Sequence, residues 1–93
     1  MRTIERTSRF KRDYKRESRG PHRAYLDAIL AAAVDTLAND RPLEPLHHDH
    51  ALSGEWGDFR DCHLRPDLLL IYQKSGADIL RLVRLGSPSA LGL

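Results

Sequence analysis

The segment Leu68–Gln73 limits the possible folds of this chain more than any other feature. Its side chains are apolar on both faces of an extended chain, so it is predicted to be the central strand of a sheet covered on both sides. Tight turns are predicted at Arg65–Asp67 and Lys74–Asp78. Strands are predicted beyond these turns, over Phe59–Leu64 and Ile79–Leu85.

The N-terminal half predicts one strand and two helices. Alternating, β-branched residues over Thr3–Thr7 predict a short strand. Ser8 is a suitable N-cap for a helix over Arg9–Arg19, which ends at Gly20–Pro21. A second helix that ends before Asn39–Pro42 is predicted from apolar residues at helical spacing: Leu26, Ile29, Leu30, Ala33, Val34 and Leu37.

The element order is therefore β-α-α-β-β-β. It predicts an α+β fold in which an antiparallel sheet packs against a helical hairpin. With 93 residues, the chain is expected to form a single domain spanning residues 1–93. Two segments have no regular element in this prediction. The loop Arg41–Gly57 is expected to be ordered by its apolar residues, and the tail Gly86–Leu93 shows no periodicity.

The positive charge of the chain is concentrated in its first quarter. Residues 1–24 contain nine Lys or Arg and three acidic residues, whereas the whole chain has a net charge of only +2. Such a segment attracts a polyanion or an acidic protein partner. Arg12, Lys15 and Arg16 in the first helix are therefore predicted to face nucleic acid. The alternative is a helix face that contacts only solvent.

The composition argues against a membrane or secreted protein. No apolar run approaches the length of a membrane span, and the charged N-terminus Met1–Arg6 does not resemble a signal peptide. Cys62 is the only cysteine, which excludes an internal disulfide and fits a reducing compartment. The sequence therefore predicts a cytoplasmic protein.

Two histidines near the predicted hairpin indicate proton-transfer chemistry. His50 lies in the loop, and His63 lies in the strand that follows it. Imidazole has an unperturbed pKa near neutrality, so it can act as an acid or a base. Alternation puts Asp61 on the face of His63, where it could position the imidazole or simply be exposed. A basic chain with such a pair is a candidate for cleaving RNA without a metal.

The run His47–His50 raises the alternative of a metal site. Adjacent side chains point apart in an extended chain, and neither a helical i, i+4 pair of ligands nor a cysteine ligand supports tetrahedral zinc. Cys62 alternates away from His63, which argues against a Cys–His nucleophilic pair. The sequence therefore predicts no metal and no other cofactor.

The order β-α-α-β-β-β resembles that of the RelE/ParE superfamily, the toxic halves of bacterial toxin–antitoxin pairs. Three phrases of this sequence are similar to the YafQ branch: Asp49–Trp56 (DHALSGEW), Phe59–Tyr72 (FRDCHLRPDLLLIY) and Leu82–Ser87 (LVRLGS). They cover most of the C-terminal half, and the N-terminal half agrees in pattern only. The resemblance implies a ribosome-dependent mRNA endonuclease that a cognate antitoxin silences in a hetero-oligomeric complex.

The resemblance assigns catalysis to His50, His63 and Asp67, which match the histidines and the aspartate that carry the chemistry in that branch. A further histidine of the branch corresponds to Pro88 here, and its usual C-terminal aromatic residue corresponds to Gly92. Because proline has no titratable group, the resemblance implies that this chain cleaves RNA weakly or not at all.

Three residues near these positions are candidate supporting or RNA-binding groups. Arg84 could clamp a phosphate, which a guanidinium binds through two hydrogen bonds, or it could form an ion pair on the sheet. Arg60 belongs to the same group of candidates. Trp56 could stack on a base or anchor the loop in the core.

Two other functions stay open at this point. A catalytically degenerate toxin, which serves as an antitoxin-binding module in autoregulation, would account for Pro88 and Gly92. A ParE-like topoisomerase poison would share the fold, but the paired histidines argue against it.

Overall fold

A computed structural model describes residues 1 to 93. The strands are Thr3–Arg6 (β1), His50–Ala51 (β2), Arg60–Arg65 (β3), Leu68–Ser75 (β4) and Ile79–Gly86 (β5). The helices are Ser8–Glu17 (α1), Leu26–Ala38 (α2) and Pro88–Leu91 (α3), and short 3-10 turns lie at Pro45–His47 and Gly54–Trp56. The α+β class and the order of the predicted elements are confirmed, and the structure adds β2 and α3. No helix has both the length and the apolar character needed to span a membrane.

The five strands form one sheet in the order β1-β5-β4-β3-β2. β4 is central, as its apolar sequence predicts, and pairs antiparallel with both neighbours. β2 pairs antiparallel with β3, whereas β1 pairs parallel with β5. The sheet therefore departs from the expected antiparallel pairing at one edge. A parallel pair needs a long crossover connection, which the chain between β1 and β5 provides.

Apolar side chains cover both faces of the sheet. The core on the side of α1 and α2 includes Phe10, Leu26, Leu37, Cys62, Leu64, Leu68, Leu70, Tyr72, Leu80, Leu82 and Leu85. The second core, on the opposite face, consists of Leu69, Ile71, Val83 and Leu91, with Leu52, Trp56 and Phe59 packed against it. β4 thus contributes alternate residues to two cores, which explains its continuous apolar sequence.

The C-terminal tail forms a helical turn, contrary to the expectation of an irregular tail. Ser87 Oγ accepts a hydrogen bond from the N–H of Ala90 at 3.1 Å, and Pro88 occupies the first turn of α3. Leu91 is 4% exposed and packs into the second core. A single turn is too short to show periodicity, so the sequence pattern did not reveal it.

α1 covers the part of β5 that β1 does not reach. β1 pairs only with Ile79–Leu82. Beyond that range, the N–H of Leu85 donates to Asp13 Oδ2 at 3.0 Å, and Arg16 Nη2 donates to the Leu85 carbonyl at 2.9 Å. Side chains of α1 therefore satisfy a sheet edge that would otherwise be open to another strand.

Candidate functional site

The predicted histidines lie on the sheet face opposite α1 and α2. His50 in β2 pairs with Asp61 in β3, and His63 lies two residues further along β3. Because side chains alternate along a strand and paired residues share a face, all three project from the same face. Cys62, between Asp61 and His63, is buried in the core on the helical side. The predicted common face of Asp61 and His63 is confirmed.

Two imidazoles, those of His50 and His63, lie beside one carboxylate on this face, and a third imidazole, that of His48, packs against His63; we call His48, His50, His63 and Asp61 the histidine cluster. The ring centroid of His63 is 6.4 Å from that of His50 and 5.5 Å from that of His48. Asp61 Oδ1 lies 3.6 Å from His50 Nδ1 and 3.9 Å from His63 Nε2. The side chain of His50 is about half exposed and that of His63 is partly exposed, so both are accessible to a ligand.

His48 is a member of the cluster that the sequence marked only as part of the run His47–His50. Adjacent residues of an extended chain point apart, but His48 has a φ of 47°, in the left-handed region. The side chain of His48 is therefore not directed as it would be in an extended chain. His48 ends the 3-10 turn Pro45–His47, and its N–H donates to the Pro45 carbonyl at 3.1 Å, so the left-handed conformation belongs to this local turn.

Asp61 is the buried centre of the histidine cluster. The residue is 3% exposed, and Oδ1 accepts no hydrogen bond. Burial raises the pKa of the Asp61 carboxyl, and nearby positive charge on His50 and His63 opposes this rise only in part. An ionised carboxylate without a partner is costly in the interior, so a protonated imidazole beside it is a favourable neighbour. The cluster can therefore hold a proton next to an accessible surface.

The hydrogen bond of His50 determines which of its nitrogens is free. Nδ1 lies 2.6 Å from the carbonyl oxygen of His48, which can only accept, so Nδ1 carries the proton. In the neutral imidazole, Nε2 then has the free lone pair that a general base needs. His47 serves a different purpose, because its Nδ1 donates to the His63 carbonyl at 2.8 Å and fastens the loop to β3.

Asp49 anchors the backbone beside His50 to the sheet. Its Oδ1 accepts hydrogen bonds from the Tyr72 hydroxyl at 2.5 Å and from Arg60 Nε at 3.3 Å. Tyr72 is 1% exposed, and burial together with the Asp49 hydrogen bond raises the pKa of its hydroxyl, which stays protonated at physiological pH. β2 contains only His50 and Ala51. The hydrogen bonds of Asp49 therefore attach a very short edge strand to β3 and β4, and Arg60 donates one of them.

Removal of the Tyr72 hydroxyl is expected to loosen His50. In Tyr72→Phe the ring still fills the core, but Asp49 loses its shortest hydrogen bond, which costs about 1–2 kcal/mol. Amide hydrogen exchange at His50 and Ala51 should accelerate about tenfold, while exchange within β4 and β5 changes little. Tyr14→Phe is the matched control, because that hydroxyl bonds only the exposed Asp27. Unchanged exchange at His50 would contradict the anchoring role.

Asp67 does not join the histidine cluster. It lies in the turn between β3 and β4, where Oδ1 is 3.2 Å from Nε2 of His22, and its carboxylate is within 4 Å of neither His50 nor His63. His22 is 7% exposed, and its Nδ1 lies 2.8 Å from the Tyr25 hydroxyl. Nothing in the sequence marked His22, because the carboxylate that it meets lies on a distant element.

Arg84 and Trp56 are held by contacts within the protein. Arg84 donates to Asp13 from Nε at 2.7 Å and from Nη2 at 3.2 Å, which is the ion pair considered as the alternative to a phosphate clamp. Trp56 packs edge to face on Phe59, with centroids 5.7 Å apart, beside the second core. These contacts favour an anchoring role for both side chains. No group of three or more His, Cys, Asp or Glu side chains has the arrangement of a metal site.

Pro88 lies two residues beyond Gly86, which is the last residue of a row that begins at His63 and crosses the sheet. His63 pairs with Leu69, and Leu69 pairs with Gly86 on β5. This row spans two strand spacings, or about 10 Å. Pro88 follows two residues after Gly86, in the first turn of α3. A side chain at this position therefore borders the same sheet face as the histidine cluster, but proline brings no proton to it.

Comparisons with known protein sequences match nearly the whole chain. The family model described as the bacterial toxin of a type II toxin–antitoxin system, YafQ, matches residues 2–92. The mRNA interferase toxin YafQ of Escherichia coli strain K12 is 32% identical over 90 residues, which cover 95% of this chain and 97% of that protein. These similarities agree with the branch indicated by the three sequence phrases.

Solved structures match the fold over a similar length. A copper-bound mutant toxin from Helicobacter pylori is 36% identical with a TM-score of 0.88, covering 98% of this chain and 99% of that chain. A chain of the Escherichia coli DinJ-YafQ toxin–antitoxin complex is 33% identical with a TM-score of 0.82, covering 97% of this chain and 96% of that chain. The fold and the sequence thus match the same group of proteins.

Proposed function

Because the chain belongs to the YafQ family of type II toxins, we propose that it is an endoribonuclease that cleaves mRNA bound to the ribosome. The histidine cluster is the observation that carries this proposal. It combines two accessible imidazoles, His50 and His63, with the buried carboxylate of Asp61. Relatives in this family are named mRNA interferases, and such a pair of imidazoles is suited to that reaction.

The reaction needs two proton transfers at one phosphate. A base removes the proton of the ribose 2′-OH, whose oxygen attacks the adjacent phosphorus. The bond from phosphorus to the 5′ oxygen breaks, and an acid protonates that oxygen, leaving a 2′,3′-cyclic phosphate and a 5′-hydroxyl. We assign the base to His50, whose Nε2 is free, and the acid to His63, which lies beside Asp61. Each positioned transfer contributes roughly 10²–10⁴-fold, and neither requires a metal.

Asp67 has a different place in this proposal from the two histidines. Its side chain is 70% exposed, and His22 holds its carboxylate at the β3–β4 turn. We therefore leave Asp67 outside the proton transfers, and we assign the positioning of the imidazoles to Asp61. This division follows from the contacts of the two carboxylates.

Replacing His63 tests the proposed chemistry. His63→Gln keeps a polar side chain but cannot transfer protons, so cleavage of ribosome-bound mRNA should fall roughly 10²–10⁴-fold. Asp67→Asn, which alters only the contact with His22, should leave cleavage close to that of the wild type. Cuts are mapped by primer extension, in the Pro88→His background if wild-type cleavage is below detection. Full cleavage by a folded His63→Gln protein would refute the assignment.

The basic face of α1 is proposed to contact ribosomal RNA. Arg12 and Lys15 are exposed and form no ion pair, whereas Arg16 bonds Asp13, Glu17 and the Leu85 carbonyl. We therefore exclude Arg16 from the contact surface that the sequence suggested.

Arg12→Ala combined with Lys15→Ala should weaken ribosome binding. The slope of the logarithm of the binding constant against the logarithm of the salt concentration should become less steep by about two, because each phosphate contact releases about one counterion. Binding is measured by sedimentation with ribosomes at several salt concentrations. Glu5→Ala, a change on β1, is the control. An unchanged slope would mean that this face contacts only solvent.

A cognate antitoxin is the proposed protein partner, in a hetero-oligomeric complex. The support comes from the relative that was crystallised as a DinJ-YafQ complex. The alternative of a degenerate toxin, kept only to bind its antitoxin, is favoured by Pro88 and Gly92. The alternative of a topoisomerase poison gives no role to the accessible imidazoles beside Asp61.

A further inference from the structure

The phosphate in the proposed reaction needs a positive group that the two proton transfers do not supply. Attack by the 2′ oxygen adds negative charge to the non-bridging phosphate oxygens, and donors placed at such oxygens stabilise the transition state. His50 is neutral when it acts as the base, and the charge of a protonated His63 is matched by the Asp61 carboxylate beside it. The residues assigned so far therefore bring no net positive charge to the phosphate.

The lysine and arginine side chains of the three longest strands, β3, β4 and β5, are already engaged. Those in ion pairs are Arg60, Lys74, Arg81 and Arg84. The remaining one, Arg65, lies over the Tyr25 ring, with its guanidinium carbon 4.7 Å from the ring centroid. The positive group that the reaction needs is therefore not an unpaired lysine or arginine of these strands.

His48 is the one histidine of the chain whose imidazole has no polar partner. The other four each have an oxygen atom beside a ring nitrogen: His22, His47, His50 and His63. His48 is exposed, and its ring takes part in none of these hydrogen bonds and ion pairs. The ring instead meets the His63 ring edge to face, with centroids 5.5 Å apart and an interplanar angle of 68°. Both of its nitrogens are thus available to a ligand beside the proposed acid.

The backbone that carries His48 is fixed on both sides. The preceding residue, His47, donates from Nδ1 to the His63 carbonyl at 2.8 Å, and the N–H of His48 donates to the Pro45 carbonyl at 3.1 Å. The carbonyl of His48 accepts a hydrogen bond from His50 Nδ1 at 2.6 Å. A donor on an anchored backbone is held near its ligand before binding, which is the arrangement that catalysis requires.

We propose that His48 is a further catalytic residue, whose imidazole donates a hydrogen bond to a non-bridging oxygen of the phosphate that is cleaved. Imidazole has one N–H when neutral, and two N–H groups and a positive charge when protonated, so it is a donor in either state. Because the His48 and His63 rings are in edge contact, one phosphate can lie against both. The role of His48 rests on the proposed function and adds to it the group that stabilises the phosphate charge.

His48→Phe separates catalysis from packing. Phenylalanine keeps an aromatic ring against His63 but has no donor, so cleavage of ribosome-bound mRNA should fall roughly 10²-fold, the lower end of the effect of losing one such donor. His48→Lys supplies a permanent cation with three donors and should recover most of the lost rate. Rates are measured in single turnover at saturating ribosomes, which reports the chemical step and not binding. Leu46→Phe, which adds the same ring at a position that is 64% exposed, should cleave like the wild type.

Titration with inorganic phosphate tests the same contact without cleavage, and it decides the question if wild-type cleavage is below detection. In NMR spectra of the histidine rings, recorded on the whole chain at constant pH, phosphate should shift the resonances of His48 together with those of His50 and His63. The resonances of His22, which is engaged with Asp67 and Tyr25, should not move. The Kd for phosphate should rise several-fold in His48→Phe.

The remaining outcomes distinguish the role of His48 from the function as a whole. If His63→Gln abolishes cleavage and His48→Phe leaves both cleavage and the phosphate Kd unchanged, His48 has no catalytic role and the proposed function stands. If neither variant alters cleavage, the histidine cluster is not the nuclease site, and both proposals fail. A loss in His48→Phe that His48→Lys does not relieve, with unchanged phosphate binding, would assign His48 to packing alone. Thermal unfolding verifies that each variant folds.

Discussion

Pro88→His should increase cleavage of ribosome-bound mRNA by roughly 10²–10⁴-fold, the contribution of one positioned proton transfer. The substitution places a titratable group at the start of α3, beyond the row His63–Leu69–Gly86. An imidazole at this position could protonate the departing 5′ oxygen at neutral pH, which proline cannot do, and would leave His63, the acid proposed for the wild type, to stabilise the phosphate charge. Toxicity in a growth assay without antitoxin should increase in parallel.

Pro88→Gln is the control for this prediction. Glutamine is polar and of similar reach, but it transfers no proton, so its cleavage rate should stay near that of the wild type. Antitoxin affinity should differ little among the three forms. Equal cleavage by Pro88→His and the wild type would show that His63 already supplies the acid in full and that position 88 takes no part. A partial gain would indicate a second defect at Gly92, where the resemblance implies an aromatic residue.

Asp13→Ala should cause the largest loss of stability of any substitution considered for this chain. Asp13 is 4% exposed and binds both Arg84 and the N–H of Leu85. Removing it leaves the Arg84 guanidinium unpaired and a sheet-edge N–H without an acceptor, at a cost of about 3–5 kcal/mol. The melting temperature should fall by on the order of 15 °C for a domain of this size. Glu5→Ala, which breaks a largely exposed pair with Arg81, should cost less than about 1 kcal/mol.

The contribution of Asp13 to the free energy of unfolding should decrease as the pH is lowered. Burial raises the pKa of its carboxyl, but the hydrogen bonds from Arg84 and Leu85 and the charges of Arg84 and Arg16 together lower it below its usual value. A carboxyl with a lowered pKa in the folded state stabilises the fold above its unfolded pKa of about 4, and this stabilisation is lost as pH falls through the folded pKa. The difference in unfolding free energy between wild type and Asp13→Asn should therefore be constant near neutral pH and shrink below about pH 4. A difference that grows with acidification would contradict this account.

The sequence by itself determined the elements that have a local periodic signature. β4 is buried on both faces. A continuous apolar segment is stable only where neither face meets solvent, so the central place of β4 followed from its sequence alone. α2 followed from apolar residues at helical spacing. The common face of Asp61 and His63 followed from the alternation of a strand, because that period is fixed by backbone geometry. Three of the four members of the histidine cluster, His50, His63 and Asp61, were therefore named from the sequence.

Only the tertiary structure decided the pairings between distant segments. β1 joins β5 in parallel, Asp67 meets His22, and Arg84 meets Asp13, and each pair lies far apart in the chain. His48 enters the histidine cluster through the left-handed end of the 3-10 turn Pro45–His47, and its position against the His63 ring depends on how that turn packs on β3. Local sequence patterns reflect burial within one element, whereas these contacts depend on how packed elements align. The sequence therefore determined which face carries His63 and Asp61, and the packing of distant segments decided which side chains surround them.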